Sequence, residues 1–245
     1  MDANPDDYVG HANLDIISGN YNFNDWMYKQ IKTRLKENIG NILEVGSGLG
    51  TFSEKIFRDM GSSSHLMLTD FSARYVQSLK TRYSPFQNVS VDRMDLNSRE
   101  EYSKIGYGKY DSIIALNVLE HLRDDELALQ ELYKMLKNGG ILIILVPCHK
   151  FLYNVIDEKL GHYRRYTKKE IRYKINKTNF TLACMHYFNT AGMVGWFFNG
   201  NVLKNPEINR TASKWFDKLI PVLNYLDRIT SKITGLSLIC CLKKE

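Results

Sequence analysis

The sequence predicts an α/β fold: a doubly wound, mostly parallel sheet of seven strands, with a helical insertion before the last strand. Short apolar runs alternate with amphipathic stretches along most of the 245 residues, a pattern typical of repeated strand–helix units. The run ILIILV at 141–146 is wholly apolar, as expected for a central parallel strand buried on both faces. The glycine-rich stretch GSGLG at 46–50 follows the first apolar run, where a strand-to-helix turn is expected. We therefore interpret the chain as one domain.

Residues 24–146 are predicted to contain five strands and four helices. Apolar residues spaced three and four positions apart predict the helices, and short apolar or β-branched runs predict the strands. In chain order these are helix 24–35, strand 41–45, helix 51–60, strand 65–70, helix 72–83, strand 89–94, strand 110–117, helix 124–137 and strand 141–146. Ser72 is expected to cap its helix, and Asn138-Gly139-Gly140 to close the fourth helix.

The rest of the chain is predicted to add three helices and two strands. Thr167 and Glu170 form a capping box, which opens a helix that ends near Thr178. The following elements are strand 181–188, helix 191–203, helix 213–233 and strand 236–242. Because two helices stand between the last two strands, we expect them to cover the open end of the sheet.

The composition is that of a globular protein with a sizeable core, at 44% hydrophobic and 24% charged residues. The acidic, polar start MDANPDDYVG is unlike a secretory signal, and no apolar run approaches the roughly 18 residues that span a bilayer. The four cysteines lack metal-ligand spacing, and Cys148 is expected to pack in the core rather than to act as a nucleophile. These features predict a reduced, cytoplasmic protein.

The net charge of +6 is concentrated in the second part of the chain. Residues 151–245 carry 16 Lys and Arg against 7 Asp and Glu, and the basic residues are densest in 159–177. Such a segment is either a solvated face or a surface that attracts anions.

Three glycines of the turn, Gly46, Gly48 and Gly50, suit a loop that holds a nucleotide. Glycine lets the backbone approach a ligand closely and direct N–H groups from the helix start towards it. The dinucleotide-binding fingerprint G-x-G-x-x-G has its third glycine at the position that Thr51 occupies in this sequence. By itself the turn is also compatible with a purely structural role.

Acidic or amide side chains follow each of the next three strands. They are Asp70, Asp95 and Asn117, and the carboxyl ends of parallel strands share one edge of a sheet, where ligands bind at the switch in strand order. Asp70 can accept both hydroxyl protons of a ribose. Asp95 can accept from the exocyclic amine of an adenine, with Phe71 or Met94 against its faces. Each position could instead cap a helix, but together they indicate a nucleoside site.

With these motifs the chain resembles the class I S-adenosylmethionine-dependent methyltransferases of the small-molecule type. EVGSGLG at 44–50 is similar to their first motif, Thr69-Asp70-Phe71 to their second and Asp95-Leu96 to their third. The resemblance continues through 110–122 and 136–147, with a weaker match at 236–244. It implies a Rossmann-like sheet whose antiparallel last strand lies beside the fifth strand.

The resemblance also implies the cofactor, S-adenosylmethionine, and its product, S-adenosylhomocysteine. Glu44 and the glycine loop would hold the methionine part, Asp70 the ribose and Asp95 the adenine. The residues expected to bind the cofactor are Glu44, Gly46, Ser47, Gly48, Gly50, Asp70, Phe71, Met94, Asp95, Leu96 and Asn117.

NVLEH at 117–121 contains the first candidate base. It lacks the D/N-P-P-Y signature of enzymes that methylate amide-like nitrogens, which disfavours base amines. Glu120 and His121 resemble the ending of small-molecule O-methyltransferases, and in the ubiquinone-pathway enzymes Glu-x-x-Glu-His is associated with a divalent cation. Asn117 replaces the first carboxylate of that pattern, so we expect no metal. His121 is either the reserve catalytic base or a hydrogen-bonded residue at a helix start.

DEKLGHYRRYTKKE at 157–170 contains the second candidate. His162 is predicted to be the catalytic base. Arg164 and Arg165, with Tyr166, are predicted to hold an anionic acceptor, because guanidinium groups bind carboxylate or phosphate in a bidentate way. The alternative interpretation is a solvated loop with tyrosines packed beneath it.

We expect three regions within the single domain. They are an N-terminal helical cap (1–38), a cofactor-binding core (39–150) and an acceptor-side half (151–245), which includes a helical lid (190–234) and the closing strand (236–242). The apolar lid is either packed on the core or provides an apolar acceptor pocket or a membrane-surface face.

The leading hypothesis is a methyltransferase acting on a small molecule, with oxygen favoured over nitrogen or carbon and an anionic, lipid-linked or glycan-linked acceptor. An RNA methyltransferase that uses the basic segment as a phosphate track is one alternative, although no RNA-binding module is recognisable. A non-catalytic adenosylmethionine-binding subunit is the other. DNA is not expected as a partner.

Overall fold

The computed structural model of the protein describes residues 10–35 and 40–245. Its strands are β1 (Asn41–Val45), β2 (His65–Asp70), β3 (Val89–Arg93), β4 (Tyr110–Leu116), β5 (Leu136–Pro147), β6 (Phe180–Phe188) and β7 (Ser237–Lys244). Its α-helices are α1 (His11–Ser18), α2 (Tyr21–Leu35), α3 (Thr51–Asp59), α4 (Ala73–Tyr83), α5 (Arg99–Ile105), α6 (Asp125–Met135), α7 (Val155–Leu160), α8 (Lys168–Asn176), α9 (Thr190–Phe197) and α10 (Arg210–Thr230). The first residues of the predicted cap and its end at 36–38 lie outside the described residues.

The strands form one sheet in the order β3-β2-β1-β4-β5-β7-β6. All neighbouring pairs are parallel except the two that involve β7, which runs antiparallel to β5 and β6. The predicted seven-stranded α/β fold is therefore confirmed. The chain order changes direction between β1 and β4, which opens a crevice at their carboxyl ends.

The core lies on both faces of this sheet because successive side chains of a strand point to opposite faces. In β1, Leu43 belongs to the core cluster on one face and Ile42 to that on the other. The second cluster also contains Trp26 from α2 and Ile220 from α10. Helices from the two ends of the described chain thus cover the same face of the sheet.

The predicted end of α6 is wrong. The helix ends at Met135, and β5 begins at Leu136, which pairs with Tyr110 of β4. Asn138-Gly139-Gly140 therefore lies inside the strand rather than at a helix end. A Cβ atom at Gly140 would stand 2.9 Å from the Lys137 carbonyl oxygen, so close backbone packing is the reason for glycine there.

Other local predictions have mixed outcomes. The capping box of Thr167 and Glu170 is present at the start of α8. Ser72 occupies the N-cap position of α4, but its side chain makes no capping hydrogen bond. Helix α1 lies within the predicted N-terminal helical cap, although its bounds are not predicted. Helices α5 and α7 are not predicted from the sequence, because they have seven and six residues and show too little periodicity. The two insertion helices are present as α9, extended by a π-helical turn at Phe198–Val202, and α10.

Candidate functional site

The glycine-rich loop between β1 and α3 has a left-handed backbone at all three glycines. Gly46, Gly48 and Gly50 have φ angles of 71°, 51° and 80°, which residues with a side chain rarely adopt. A Cβ atom at Gly48 would have no protein atom within 4 Å, so the backbone there borders open space. The Gly48 N–H donates to Asp70 Oδ2 at 2.8 Å. The loop is thereby tied to the end of β2 and presents the backbone that is predicted to meet the cofactor.

Glu44 and Ser47 lie beneath this loop rather than on its open side. Glu44 is 4% exposed, and its Oε2 accepts a hydrogen bond from Ser53 Oγ in the first turn of α3. The Ser47 N–H donates to the Thr69 carbonyl at 2.9 Å. Burial raises the pKa of Glu44 to about 7. In this structure both residues support the loop, and Glu44 changes its charge near neutral pH.

Asp70, Asp95 and Asn117 follow β2, β3 and β4 and so lie along one edge of the sheet. The strand order places them in the sequence Asp95, Asp70, glycine loop, Asn117. Asp70 accepts the Ser72 N–H at 2.8 Å in addition to that of the loop, and burial raises its pKa. Because a carboxylate has about four lone-pair sites, Asp70 retains capacity for ribose hydroxyls.

Three hydrophobic residues predicted to contact the cofactor have different environments. Phe71 is exposed, and the Arg93 guanidinium lies 4.9 Å from its ring centroid. Met94 and Leu96 instead pack in the core cluster below the edge. The prediction for these two is corrected, since the core leaves their side chains almost no surface for a ligand.

Glu120, His121 and His162 meet beyond the carboxyl end of β4. His162 Nε2 lies 4.0 Å from Glu120 Oε1, and the two imidazole rings pack edge to face with centroids 4.7 Å apart. A Cβ atom at Gly46 would come within 2.6 Å of Val118 Cγ2. The segment that carries Glu120 and His121 therefore touches the glycine loop, which places the cluster on the side of the loop opposite Asp70.

Burial perturbs the charge of this cluster. Glu120 is fully buried, and among the described residues neither carboxylate oxygen has a hydrogen-bond partner. Burial raises the pKa of Glu120 to about 7, and the nearby His162 opposes the rise. Burial lowers the pKa of His121 to about 3. A ring with so low a pKa is uncharged at neutral pH and is a weak base, which favours His162 over His121 for that role.

Asp157 of α7 holds His162 in place. Its Oδ1 lies 2.8 Å from His162 Nδ1 and 2.9 Å from Arg165 Nε. Although burial acts to raise the pKa of Asp157, the His162 hydrogen bond and the Arg165 charge hold it below the usual range. His162 is therefore oriented by a buried carboxylate at Nδ1, which directs Nε2 towards Glu120.

Arg165 and Tyr166 do not face an acceptor, and this corrects their predicted role. Arg165 is 3% exposed. Besides Asp157 it binds the Cys148 carbonyl at 3.2 Å and stacks on Trp196 with 4.7 Å to the ring centroid. Tyr166 is buried, and its hydroxyl donates to Asp125 Oδ2 at 2.7 Å. If Arg165 bound an acceptor anion, the buried Asp157 would lose its positively charged partner. Arg165 and Tyr166 therefore stabilise the fold. The alternative, a solvated loop with tyrosines packed beneath it, holds in part: Tyr166 is packed beneath and Tyr163 is exposed.

Arg164 is the one predicted acceptor ligand whose side chain reaches the surface, at 29% exposure. Its Nη1 lies 3.1 Å from Asp125 Oδ2, and Lys174 Nζ lies 2.7 Å from Asp125 Oδ1. The Arg164 charge is thus already shared with a carboxylate. Contact with an acceptor anion would have to compete with this pair.

Cys148 has the packing role that the sequence predicts. Its thiol donates to the Gly235 carbonyl at 2.8 Å, and burial raises its pKa to about 12. A thiol that stays protonated at neutral pH is a poor nucleophile.

Glu120, His121 and His162 are also a group that could hold a metal ion. Their donor atoms lie within 4.8 Å of one another, and one carboxylate with two imidazoles is a common ligand set for divalent metals. The sequence-based expectation of no metal rests on the segment 117–121 alone, where Asn117 replaces a carboxylate. Sequence reasoning missed His162 as a third donor because it comes from a segment beyond the next strand.

Comparisons with known proteins agree with the fold. Residues 43–142 match a family described as "Methyltransferase domain". Probable polyketide synthase 42 of Dictyostelium discoideum is 33% identical over 127 residues, which are 46% of this chain and 5% of that protein. The fold resembles the CurJ carbon methyltransferase, with a TM-score of 0.61 and 15% identity over 89% of this chain and 53% of that one. It also resembles a SAM dependent methyltransferase from Archaeoglobus fulgidus, with a TM-score of 0.58 and 14% identity over 90% of this chain and 94% of that one. The chain thus spans a small part of the polyketide synthase.

Proposed function

Because the chain belongs to the class I S-adenosylmethionine-dependent methyltransferases and uses S-adenosylmethionine as its cofactor, we propose that it methylates a hydroxyl group of a small-molecule acceptor. The observation that carries the proposal is the placement of His162. Its ring is buried beside the segment that touches the glycine loop, and its Nδ1 lies 2.8 Å from Asp157 Oδ1. This is the arrangement of a base whose orientation is set by a carboxylate.

The strand order supports a cofactor that lies along the sheet edge. Asp95 and Asp70 stand on one side of the glycine loop, and β4 stands on the other. With the nucleoside held by the two aspartates, the methionine end of the cofactor would lie nearest β4. When bound, S-adenosylmethionine supplies an electrophilic methyl group on its sulfonium sulfur. Glu120 and His162 lie on the same side of the loop. The proposed base and the methyl group of the cofactor would therefore be close together.

The chain's contribution is alignment, exclusion of water and removal of one proton. His162 Nε2 would take the proton of the acceptor hydroxyl. Asp157 stabilises the imidazolium that forms. The Glu120 carboxyl group lies 4.0 Å from His162 Nε2, and its burial raises its pKa to about 7.

A carbon acceptor is the second candidate, because polyketide synthases are among the relatives. The same base would then remove a proton from a carbon that a neighbouring carbonyl makes acidic. An RNA acceptor has less support. Within the basic segment 159–177, Arg165 is paired with Asp157 and Lys174 with Asp125, so part of the predicted phosphate track is neutralised.

The proposal is tested by incubating the purified chain with S-adenosylmethionine carrying a deuterated methyl group and with fractions of small metabolites or total RNA. Mass spectrometry should find the label on an oxygen of a small molecule, together with S-adenosylhomocysteine. His162→Ala should lower kcat about 10²–10⁴-fold while S-adenosylmethionine affinity is unchanged. His65→Ala is the matched control, since His65 begins β2 at the opposite edge of the sheet.

Other outcomes would contradict specific parts of the proposal. Label on carbon would select the second candidate, and label on RNA would replace the small molecule. If His162→Ala keeps near-full turnover while His121→Ala loses it, His121 is the base. Complete loss of activity in a metal chelator, restored by a divalent cation, would make the histidines ligands instead. A chain that binds the cofactor but yields no product with any fraction would be a non-catalytic subunit.

A further inference from the structure

Helix α10 has an inner face that packs against the core and an outer face that is exposed to solvent. On the inner face Ile220 is buried, and Phe216 and Leu223 pack against the core. The outer face carries an apolar stripe whose members are each more than half exposed. They are Trp215, Leu219, Val222, Leu226, Ile229 and, just past the helix, Ile233. Because they recur every three or four residues, they form one continuous row along the helix.

The neighbouring helix α9 and the π-helical turn after it also expose apolar side chains. Val194 of α9 and Phe198 and Val202 of the π-helical turn are each more than half exposed, and α9 packs against α10. Single exposed apolar residues are normal on protein surfaces, but a contiguous apolar patch indicates a site of interaction. We call these residues of α9, the π-helical turn and α10 the outer lid face.

The exposed charged side chains of α10 are all basic, and Arg210 at its start is one of them. Lys214, Lys218 and Arg228 lie on the exposed side of α10. Its two acidic residues point inwards: Asp217 accepts the Phe23 N–H at 2.7 Å, and Asp227 accepts the Thr190 N–H at 2.7 Å. The outer lid face therefore combines aromatic and aliphatic side chains with positive charge. That is the composition of helices that lie in a membrane interface.

We propose that the outer lid face docks on the surface of a membrane that contains anionic lipids. Trp215 and the aliphatic row would enter the boundary between headgroups and acyl chains, and the lysines would meet lipid phosphates. Among the described residues, no helix is long and apolar enough to cross a membrane. The proposal stands apart from the identity of the methyl acceptor.

A second copy of the chain fits this face less well. The spacing of the stripe is also that of a seam between two helices, so self-association must be considered. The basic row would then need acidic side chains on the partner helix. Both acidic residues of α10 face the core of their own copy, so a second α10 offers none. Anionic headgroups supply the missing charge.

The lid face also lies close to the candidate site. Trp196 of α9 donates its Nε1–H to Asp157 Oδ2 at 3.3 Å, and Asp157 holds His162. The exposed Phe197 and Phe198 follow directly. A membrane bound to the outer lid face is thus separated from the cluster by one helix.

Co-sedimentation of the full chain with vesicles tests the proposal. The chain should pellet with vesicles of phosphatidylcholine and phosphatidylglycerol, stay in solution with phosphatidylcholine alone, and be released by salt. Lys214→Gln and Lys218→Gln should each weaken binding about fivefold. Lys80→Gln and Lys109→Gln, exposed lysines outside the lid, are matched controls and should have no effect.

Leu219→Ser with Val222→Ser should abolish vesicle binding, whereas Tyr173→Ser, an exposed aromatic on α8, should not. Circular dichroism of each variant shows whether it is folded. The proposal is overturned if the folded wild-type chain stays in solution with both kinds of vesicle. It is also overturned if sedimentation velocity shows a dimer that the Leu219→Ser and Val222→Ser double variant dissociates while vesicle binding is absent.

Discussion

Substitution of Gly48 by alanine should separate cofactor binding from folding. The residue has φ of 51°, and a Cβ atom there would meet no protein atom within 4 Å. The only cost to the free protein is the left-handed backbone, about 1–2 kcal/mol. For a domain of this size, that corresponds to a fall in Tm of roughly 2–8 °C.

Cofactor binding should suffer far more. The added methyl group projects into the open space beside the loop, where the backbone is expected to approach the ligand. Loss of one backbone hydrogen bond together with the displacement of the ligand should cost about 3 kcal/mol, or roughly a 100-fold rise in Kd. Gly48→Val should abolish binding, because a β-branched side chain is larger and fits this backbone worse.

Gly108 provides a matched control. It has φ of 63°, and a Cβ atom there also meets nothing within 4 Å. It precedes β4 at the opposite edge of the sheet, so Gly108→Ala should lose similar stability but keep its affinity. Isothermal titration calorimetry with S-adenosylmethionine and a thermal melt of each variant measure the two effects. Equal affinity of the two alanine variants would refute the assignment of this loop to the cofactor.

Three further predictions concern buried or half-buried charges. Asp70→Ala should raise the Kd for S-adenosylmethionine about 10- to 150-fold in calorimetry, through loss of charge-assisted bonds worth roughly 1.5–3 kcal/mol; an unchanged Kd would remove Asp70 from the site. The pKa of Glu44 is raised to about 7 from 4.5, so the folded state loses stability as pH rises between these values. Glu44→Gln should therefore gain up to about 3 kcal/mol over wild type at pH 8 but not at pH 4 in denaturant unfolding, and an equal effect at both pH values would contradict the burial argument. Arg165→Met leaves Asp157 buried without its cation and should cost about 3–5 kcal/mol. Arg164→Ala should cost less in the same assay, because the buried Asp125 keeps Lys174 and Tyr166 as partners. Equal losses would mean that these partners do not compensate for Arg164.

The sequence determined those features whose physical cause is local. An apolar run such as 141–146 can be recognised as a strand because burial on both faces requires every side chain to be apolar. The Thr167–Glu170 capping box lies within one turn and depends on no distant contact. The glycine loop belongs here too, since Gly46, Gly48 and Gly50 occupy left-handed backbone that favours glycine.

Long-range pairing caused the local errors. The start of β5 competes with the end of α6 for the same residues, and the parallel pairing of Leu136 with Tyr110 decides the outcome. The position of the antiparallel last strand came from family resemblance, because periodicity carries no information about strand order.

Only the tertiary structure decided the electrostatics of the acceptor side. Sequence patterns identify Arg165 as a basic residue in a basic segment, yet it is buried against Asp157 and cannot serve an acceptor. They place His121 and His162 as separate candidates, yet the two rings are in contact with centroids 4.7 Å apart. Charge and pKa depend on burial and on neighbours in space. Those neighbours come from different strands and helices, so their effect exists only after the chain has folded.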